Sequence, residues 1–534
     1  MTQDSVRGFR RALSLILIVA PGLYSLYIVV RICGSGPEFR IQYLPDDAFY
    51  YLTLARNFVL HGTWTFDSGI SVTTGFHLLH AYSLAGIYWL LGSSSPEAFI
   101  RSAVIATYLV GTIACILGGV VVYRSRRILP AVFFAVVILS RNVSLGSISV
   151  VEWPWVITLS AAYFFLVDQL SSRGGITMII LLFICGLLGS LARSDFGLMP
   201  LALAVSVVVS PGITDKRRHV IGTLSGLAGA GFGIAVITGH NYVIGGSLVQ
   251  SSAQMKYFWN TFYGPSAKPI LRTVLSLFGT PSVLTVTLFC LLFLLFMTAG
   301  LILFMGHRGR EVVAGQGRIR RALWGGSVLT VAGYVLFYSF NASGIQQWYT
   351  AHLVVPLFFI GVIPMLYLRD HRPLNSAWAI LLTLMVLFET HQARMFFSTP
   401  EWPHQQQLYR AGGYLKTARL DSGVGSWNAG ILGFYTDGGV VNLDGLVNNS
   451  IYSYASRNDL PTYIDSIPIG YIIDFMNMFE GERIRARGGY DRPDFIERLK
   501  PLKRFDEGGN GWSRLTLYKI LPTPEIDRFS GDRP

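Results

Sequence analysis

The chain has 534 residues, of which 51% are hydrophobic and only 14% are charged, and its mean hydropathy is +0.46. Soluble domains usually carry about 25% charged residues, so this composition excludes a soluble enzyme, a disordered chain and a small disulfide-stabilised module. It indicates a polytopic α-helical membrane protein. The formal net charge of +13 does not indicate a nucleic-acid partner, because the basic residues lie in short loops between apolar runs.

Eleven apolar stretches of the sequence predict transmembrane helices. They lie near residues 12–32, 98–122, 128–140, 152–168, 176–192, 196–212, 219–238, 281–305, 322–340, 351–368 and 376–391. A further apolar segment, 76–92, predicts an interfacial or re-entrant helix. The count would rise to twelve or thirteen if this segment crossed the membrane.

Basic clusters beside these stretches predict the orientation, because positively charged loops stay in the cytoplasm. The clusters lie around Arg10, Arg126, Arg217, Arg320 and Arg372. Eleven spans place all of them in the cytoplasm of a chain in the cytoplasmic (inner) membrane. The first outer loop, 33–97, and a C-terminal domain, 400–534, then face the periplasm or exterior, and residues 1–399 form the membrane module.

A short helix with two acidic residues is predicted inside the first outer loop. Residues 44–61 read LPDDAFYYLTLARNFVLH. Pro45 and Asp46 predict the start of the helix, and Gly62 predicts its end. Its apolar residues recur at i, i+3, i+4 and i+7, so we expect it to lie on the membrane surface. Asp46 and Asp47 are then held at the outer interface.

These two carboxylates have a catalytic and a structural interpretation. A carboxylate at a helix N-terminus stays ionised, so it is a permanently available proton acceptor. In the alternative interpretation, Asp46 only caps the helix and Asp47 only interacts favourably with the helix dipole. Spacing alone leaves both interpretations open.

The stretch DDAFYYLTLARNFVLHGTWTFDSGISVTTGFHLLHA, which starts at Asp46, closely resembles the first outer loop of membrane glycosyltransferases of the GT-C superfamily. Protein O-mannosyltransferases, the lipid A aminoarabinose transferase and the catalytic subunit of oligosaccharyltransferase belong to this superfamily. The resemblance is closest to a bacterial subset whose loop ends in a Thr-Asn-Gly-Phe-His-Pro-like motif. Here Thr73–Leu78 read TTGFHL, without the usual Asn and Pro.

The resemblance implies a GT-C type enzyme that transfers a sugar, with inversion, from a polyprenyl-phosphate donor. The acceptor would be a hydroxyl of a cell-envelope glycan, lipid or protein at the outer face of the cytoplasmic membrane. It also implies that Asp46 or Asp47 serves as the base or as a metal ligand. The sequence contains no nucleotide-binding glycine motif, which agrees with a lipid-linked donor.

Three charged residues outside the first loop are candidates for substrate binding. Glu152 could position the acceptor or join Asp47 around a divalent cation, or it could simply start the helix before Pro154. Arg193 and Asp195 resemble an Arg-x-Asp element of the same bacterial subset. A guanidinium could stabilise the departing phosphate, whereas the alternative is an ion pair that only snorkels to the interface.

Aromatic and histidine side chains supply further candidates. His77 and His80 could bind a metal, a phosphate or a sugar, or they could be satisfied interfacial histidines. Trp348 and Tyr349 offer an aromatic face for a sugar ring, or they belong to the aromatic belt of the membrane. Arg141 is a second candidate for the phosphate.

Residues 400–534 differ in character from the rest of the chain, being rich in Gly, Asp, Arg and Tyr. Short apolar runs at 424–427, 439–443 and 470–475 predict strands that alternate with helices. This pattern predicts a small extracytoplasmic α/β domain, which we expect to cap the active site and help select the acceptor. Asn442, Asp444 and Asn448 could contact the acceptor glycan, or they could only build turns.

Two functions from other classes compete with the transferase. A transporter or flippase of lipid-linked sugars needs polar residues inside its spans, but the spans near 12–32, 219–238 and 281–305 carry no charge in their middles. A non-catalytic membrane scaffold would not need the paired aspartates. The sugar, the acceptor and the metal dependence are not determined by the sequence.

Overall fold

The computed structural model describes residues 3–92, 95–173, 175–278, 283–305, 316–341, 343–368, 371–505 and 514–522. Parts of the predicted C-terminal domain, at 506–513 and 523–534, therefore lie outside the described residues. The chain forms two compact units. The helical unit comprises Met1–Leu44, His77–His240 and Tyr263–Glu401, and the mixed unit comprises Pro45–Phe76, Asn241–Phe262 and Trp402–Pro534.

Most of the described chain is α-helical. In chain order the α-helices are α1 (Gln3–Gly34), α2 (Pro37–Arg40), α3 (Asp46–His61), α4 (Leu78–Leu91), α5 (Pro96–Ser125), α6 (Ile128–Leu139), α7 (Arg141–Ile148), α8 (Trp153–Arg173), α9 (Ile176–Ala192), α10 (Leu198–Val209), α11 (Lys216–Gly245), α12 (Ser251–Asn260), α13 (Lys268–Leu275), α14 (Val283–Met305), α15 (Gln316–Phe340), α16 (Ala351–Tyr367), α17 (Arg372–Met395), α18 (Gln405–Thr417), α19 (Gly430–Tyr435), α20 (Ile451–Ala455), α21 (Leu460–Ser466), α22 (Asn477–Glu480), α23 (Glu482–Gly488) and α24 (Pro493–Glu497). Short 3-10 helices lie at Ser194–Gly197, Ser276–Phe278 and Gln347–Thr350.

The helices of the described residues make the chain a multi-pass membrane protein. Six of them are long and apolar enough to cross a membrane, and the count is seven if α6 and α7, which meet at 56°, form one bent span. Shorter apolar helices lie at Leu78–Leu91, Ile176–Ala192, Ser194–Val209 and Val286–Ile302. The number of eleven spans stays a prediction.

One of the six long spans differs from the others in its surroundings. Within its most apolar window, Gln347–Tyr367 is 94% buried, whereas the corresponding windows of the other five are between 22% and 39% buried. Exposed apolar side chains on those five suit contact with lipid, because acyl chains solvate them. Helix α16 therefore lies in the protein interior.

The mixed unit contains a five-stranded sheet. Its strands are β1 (Gly423–Ser426), β2 (Val440–Asn442), β3 (Ile469–Phe475), β4 (Leu499–Arg504) and β5 (Leu515–Ile520), and their order across the sheet is β2-β1-β3-β5-β4. The β2-β1-β3 pairings are parallel, and the β3-β5 and β5-β4 pairings are antiparallel. Helix α19 makes the crossover between β1 and β2, as parallel neighbours require.

The sheet confirms the predicted α/β character of the C-terminal region. The three predicted strands correspond to β1, β2 and β3, which are the parallel strands of the sheet and consist of short, largely buried runs. Strands β4 and β5 were not predicted. β4 reads LKPLKR and is largely exposed, since an edge strand carries charge and proline and does not need an apolar run.

Helix α3 begins and ends as the sequence predicts, at Asp46 and before Gly62, which adopts a left-handed conformation with φ of 69°. Its burial differs from the expected single apolar face. All ten residues from Ala48 to Asn57 are buried, because polar residues opposite the apolar stripe make hydrogen bonds within the mixed unit. Asn57, for example, donates to the carbonyl oxygen of Thr65 at 2.9 Å.

Candidate functional site

The two aspartates of the first loop start α3 in the mixed unit. The carboxylate oxygens of Asp46 accept hydrogen bonds from the backbone N–H groups of Gly430 at 3.1 Å and Ile431 at 2.7 Å. These N–H groups begin α19, and a helix leaves its first N–H groups without internal partners, so Asp46 caps α19. Burial raises the pKa of Asp46 to about 7, and the charge of Asp47 adds to the rise, although the two backbone donors oppose it.

Asp47 belongs to a group of three carboxylates. It is partly exposed, and its charge contributes to the raised pKa of both Asp46 and Asp444. Burial is the main cause of the rise at Asp444, whose pKa reaches about 7. The Tyr50 hydroxyl lies 3.2 Å from Asp444 Oδ2. Asp444 is therefore close to the charge of Asp47. The sequence alone does not indicate this proximity, because the two residues are far apart in the chain.

In the helical unit, Arg193 is the centre of a buried ion cluster. Its guanidinium donates to the carboxylate of Glu152 and, through Nε, to Asp195 Oδ1 at 3.1 Å. The Nη2 atom of Arg193 lies 3.3 Å from the hydroxyl oxygen of Tyr338. The ring of Tyr349 covers its face, with 4.1 Å between the guanidinium carbon and the ring centroid. The structure thus brings together Glu152, Arg193, Asp195 and Tyr349.

Two histidines and a third tyrosine extend this ion cluster. His352 Nε2 lies 2.8 Å from Asp195 Oδ1, and the hydroxyl of Tyr334 lies 3.1 Å from His352 Nδ1. His77 Nε2 lies 3.7 Å from Glu152 Oε1. Sequence reasoning missed Tyr334 and His352, because both lie inside apolar runs whose orientation only packing decides.

Both carboxylates of the ion cluster have a cationic partner. Arg193 pairs with Glu152 and with Asp195, and an unpaired charge at such a buried place would cost free energy. The ion cluster is therefore a set of paired buried charges.

Three other predicted site residues have defined positions in the helical unit. Trp348 and Tyr349 lie in the 3-10 helix before α16 and are only 8% and 6% exposed, so they do not present their rings to lipid. His80 is fully buried, and its Nε2 lies 3.0 Å from the carbonyl oxygen of Val150. His80 therefore fixes α4 against the segment before α8.

A polar cavity of about 600 Å³ also lies in the helical unit. Its lining residues are Arg141, Asn142, Lys268, Pro269, Arg272, Thr273, Ser276, Ile345, Gln346, Gln347 and Glu401. We call it the basic cavity, because three of these side chains are cationic and one is acidic. The sequence indicated Arg141 but not Lys268, Arg272 or Glu401.

Helix α13 supplies two of the three cations. Ile270 and Val274 are buried, while Lys268 and Arg272 are exposed and line the basic cavity. This spacing, with apolar residues at i+2 and i+6 and basic residues at i and i+4, is the sequence signal that identifies an amphipathic basic helix.

A small apolar cavity of about 50 Å³, which we call the apolar groove, lies between α5, α6, α8 and α16 in the same unit. Its lining residues are Ala114, Cys115, Leu117, Gly118, Val121, Phe134, Val137, Ile138, Ile157, Ala161, Phe165, Val354, Val355, Phe358 and Phe359. Ile138 of the groove precedes Arg141 of the basic cavity by three residues. Val354 follows Gln347 of the cavity by seven residues, or about 10 Å along a helix.

The residues proposed as metal ligands do not form a metal site within either unit. Among the described residues, no group of three or more His, Cys, Asp or Glu side chains is placed to hold a metal ion. The carboxylate of Glu152 is paired with a guanidinium, a partner that competes with a cation. Asp47 lies in the other unit. A divalent cation stays an untested expectation.

No protein-family model matches the sequence, and a search of curated proteins finds no match. Solved structures do match the fold. ArnT from Cupriavidus metallidurans bound to undecaprenyl phosphate is 11% identical, with a TM-score of 0.54 over 93% of this chain and 97% of that chain. Apo ArnT gives the same identity and TM-score over 94% and 98%. The oligosaccharyltransferase AglB from Archaeoglobus fulgidus is 12% identical over 96% and 74%, with a TM-score of 0.49.

The similarity to ArnT concerns the fold. ArnT is a GT-C glycosyltransferase, and the match extends over nearly the whole of both chains. The chain therefore has the GT-C fold, with apolar spans and a small C-terminal sheet, and the fold class predicted from the sequence is confirmed.

Proposed function

We propose that this protein is a glycosyltransferase that uses a polyprenyl-phosphate-linked sugar. It transfers the sugar to a hydroxyl of a cell-envelope glycan, lipid or protein at the outer face of the cytoplasmic membrane. The fold supports the reaction class, and ArnT, which shares that fold, binds undecaprenyl phosphate.

One observation carries the proposal. The apolar groove is lined by α6 and α16, and the basic cavity is lined by the segments next to them in the chain, α7 and the 3-10 helix before α16. A molecule that contacts both has an anionic head and an apolar part. A polyprenyl phosphate has these two parts, since phosphate pairs with Arg and Lys and an isoprenoid chain gains free energy by leaving water.

The proposed reaction is a single displacement at the anomeric carbon. The acceptor oxygen forms a bond to that carbon as the bond to the phosphate oxygen breaks, and the phosphate leaves with the electron pair. A carboxylate takes the proton of the acceptor hydroxyl. We assign this role to Asp47 and not to Asp46, because the carboxylate of Asp46 caps α19.

The phosphate is assigned to the basic cavity. Arg193, the residue that the sequence suggested for it, has a carboxylate on two sides and a tyrosine hydroxyl on the third. A phosphate at Arg193 would have to displace one of these partners. We propose instead that Arg193 positions Glu152, Asp195 and Tyr349, with His77 and Trp348, as the remainder of the substrate site.

The test uses the full chain in nanodiscs with synthetic undecaprenyl-phosphoryl sugars. We expect at least one donor to release undecaprenyl phosphate, and only when an acceptor extract is present. An Arg141→Gln variant should lose release by roughly tenfold or more, because a hydrogen bond to a charged group is lost. If undecaprenyl phosphate binds but no donor is cleaved, the protein is a transporter or scaffold and the proposal is wrong.

A further inference from the structure

The basic cavity carries more positive charge than a singly charged ligand would neutralise. Arg141, Lys268 and Arg272 line it together with a single carboxylate, Glu401. Arg141 Nε donates to Glu401 Oε2 at 3.2 Å, and Gln347 donates to the other oxygen of the same carboxylate. Glu401 therefore neutralises Arg141 and leaves a formal charge of two on the cavity.

The two remaining cations have no carboxylate partner in the described part of the chain. Lys268 and Arg272 stand four residues apart on α13, so their charges lie one helical turn from each other and repel. Ile270 and Val274 anchor the opposite face of α13 in the protein. Because α13 is fixed by this packing, the two cations stay close to each other. A ligand with two negative charges would relieve the repulsion between them.

The lining of the basic cavity includes buried, hydrogen-bonded side chains as well as exposed ones. Arg141 is buried, and its guanidinium also donates to the carbonyl oxygen of Thr399. Asn142 is buried and donates to the hydroxyl of Ser276 at 3.0 Å. The bond of Asn142 joins α7 to the end of α13, so the two helices that carry the three cations are held together around one volume.

We propose that the basic cavity selects a phosphate monoester with two negative charges over a phosphate diester with one. This inference rests on the proposed function. In that reaction the donor is a diester, and the lipid product is a monoester that carries −1.5 to −2 charges near pH 7, as other phosphate monoesters do. The cavity then binds the charge that develops as the bond breaks, which favours the transition state over the bound donor.

The test compares two lipids that differ by one charge. Undecaprenyl phosphate and its methyl diester are titrated onto the full chain in nanodiscs at pH 8 and at pH 5. At pH 8 we expect the monoester to bind roughly tenfold more tightly or better, as one more charge-assisted contact allows. At pH 5 the advantage should fall toward one, because the monoester loses its second charge.

The diester measured at each pH is the internal reference for effects of pH on the protein itself, whose charged groups in the cavity are Arg141, Lys268, Arg272 and Glu401. Lys268→Gln and Arg272→Gln should each lower the ratio of the two affinities at pH 8. Arg217→Gln, an exposed basic residue of α11, is the control and should leave the ratio unchanged. Inorganic phosphate is added as a competitor. It shows whether the cavity recognises the phosphate group alone or the whole lipid.

Equal affinities at pH 8, or a ratio that Lys268→Gln and Arg272→Gln do not change, would overturn the inference. Binding of both lipids with equal affinity, with transfer retained, would leave the proposed function intact. Failure of both lipids to bind would contradict the proposed function itself. Displacement by inorganic phosphate as effective as by undecaprenyl phosphate would show that the cavity recognises the free anion and not the lipid.

Discussion

Neighbouring residues of the same type have different environments in this protein. Asp46 and Asp47 are both partly exposed, but the carboxylate of Asp46 also accepts two backbone N–H groups of α19. Each carboxylate oxygen of Asp46 already accepts a backbone N–H, so fewer of its lone pairs are left for the proton of an acceptor hydroxyl. The structural interpretation therefore fits Asp46, and the catalytic interpretation is proposed for Asp47.

Replacement of Asp47 should separate chemistry from folding. Asp47→Asn keeps the shape of the side chain but removes the proton acceptor, so we expect transfer to fall by about 100-fold or more with an unchanged unfolding temperature. Asp46→Ala should instead destabilise the protein by about 1 kcal/mol through loss of the cap of α19. Donor turnover and thermal unfolding of the purified chain measure the two effects.

Glu482→Gln, at an exposed position of the mixed unit, is the control for removal of one acidic charge. It should change neither quantity. Normal turnover in Asp47→Asn would contradict the proposed role of Asp47.

Close helix packing at glycines is the main feature at the level of elements. A Cβ atom on Gly229 of α11 would lie 2.0 Å from the carbonyl oxygen of Phe183 in α9, and one on Gly186 would lie 1.9 Å from that of Gly226. Only glycine allows the two backbones to approach this closely, as is common between membrane helices. Position 231 of α11 faces open space instead.

The pair Gly229→Ala and Gly231→Ala tests this packing with the same change on one helix. Gly229→Ala should lower the free energy of unfolding by roughly 1–3 kcal/mol, because the helices must separate. Gly231→Ala should be neutral or slightly stabilising, since alanine favours a helix. Tryptophan fluorescence during thermal unfolding in detergent checks both. Equal effects would show that the close approach is not important for stability.

At the scale of the whole molecule, each compact unit is assembled from distant segments. The mixed unit joins Pro45–Phe76 and Asn241–Phe262 to the C-terminal region. Met255 and Trp259, from the middle segment, pack in the same core as Trp427 and Leu443. The first loop and the C-terminal region therefore fold as one body.

The predicted outward orientation of the mixed unit can be tested by cysteine labelling. In a chain whose four native cysteines are replaced by alanine, Ser456→Cys and Thr214→Cys create thiols at exposed positions. With eleven spans, we expect a membrane-impermeant maleimide added outside to label position 456 and not position 214, because Thr214 precedes a positively charged loop. Labelling of position 456 only after the membrane is opened would contradict this orientation.

The sequence by itself determined the membrane class, the bounds of α3 and the three parallel strands of the sheet, because hydrophobic periodicity, helix caps and short apolar runs are local properties. It also selected Glu152, Arg193 and Asp195. That these residues meet around one guanidinium was decided only by the tertiary structure, since Glu152 and Arg193 are 41 residues apart.

The composition of the basic cavity could not be predicted from the sequence, because it is decided by tertiary structure alone. Arg141, Arg272 and Glu401 come from three distant segments, and no local pattern brings them together. The burial of α3 on all sides has the same origin, because hydrogen bonds to distant backbone replaced water on its polar face. Local sequence decides which elements form, whereas packing between remote segments decides which charges share a cavity.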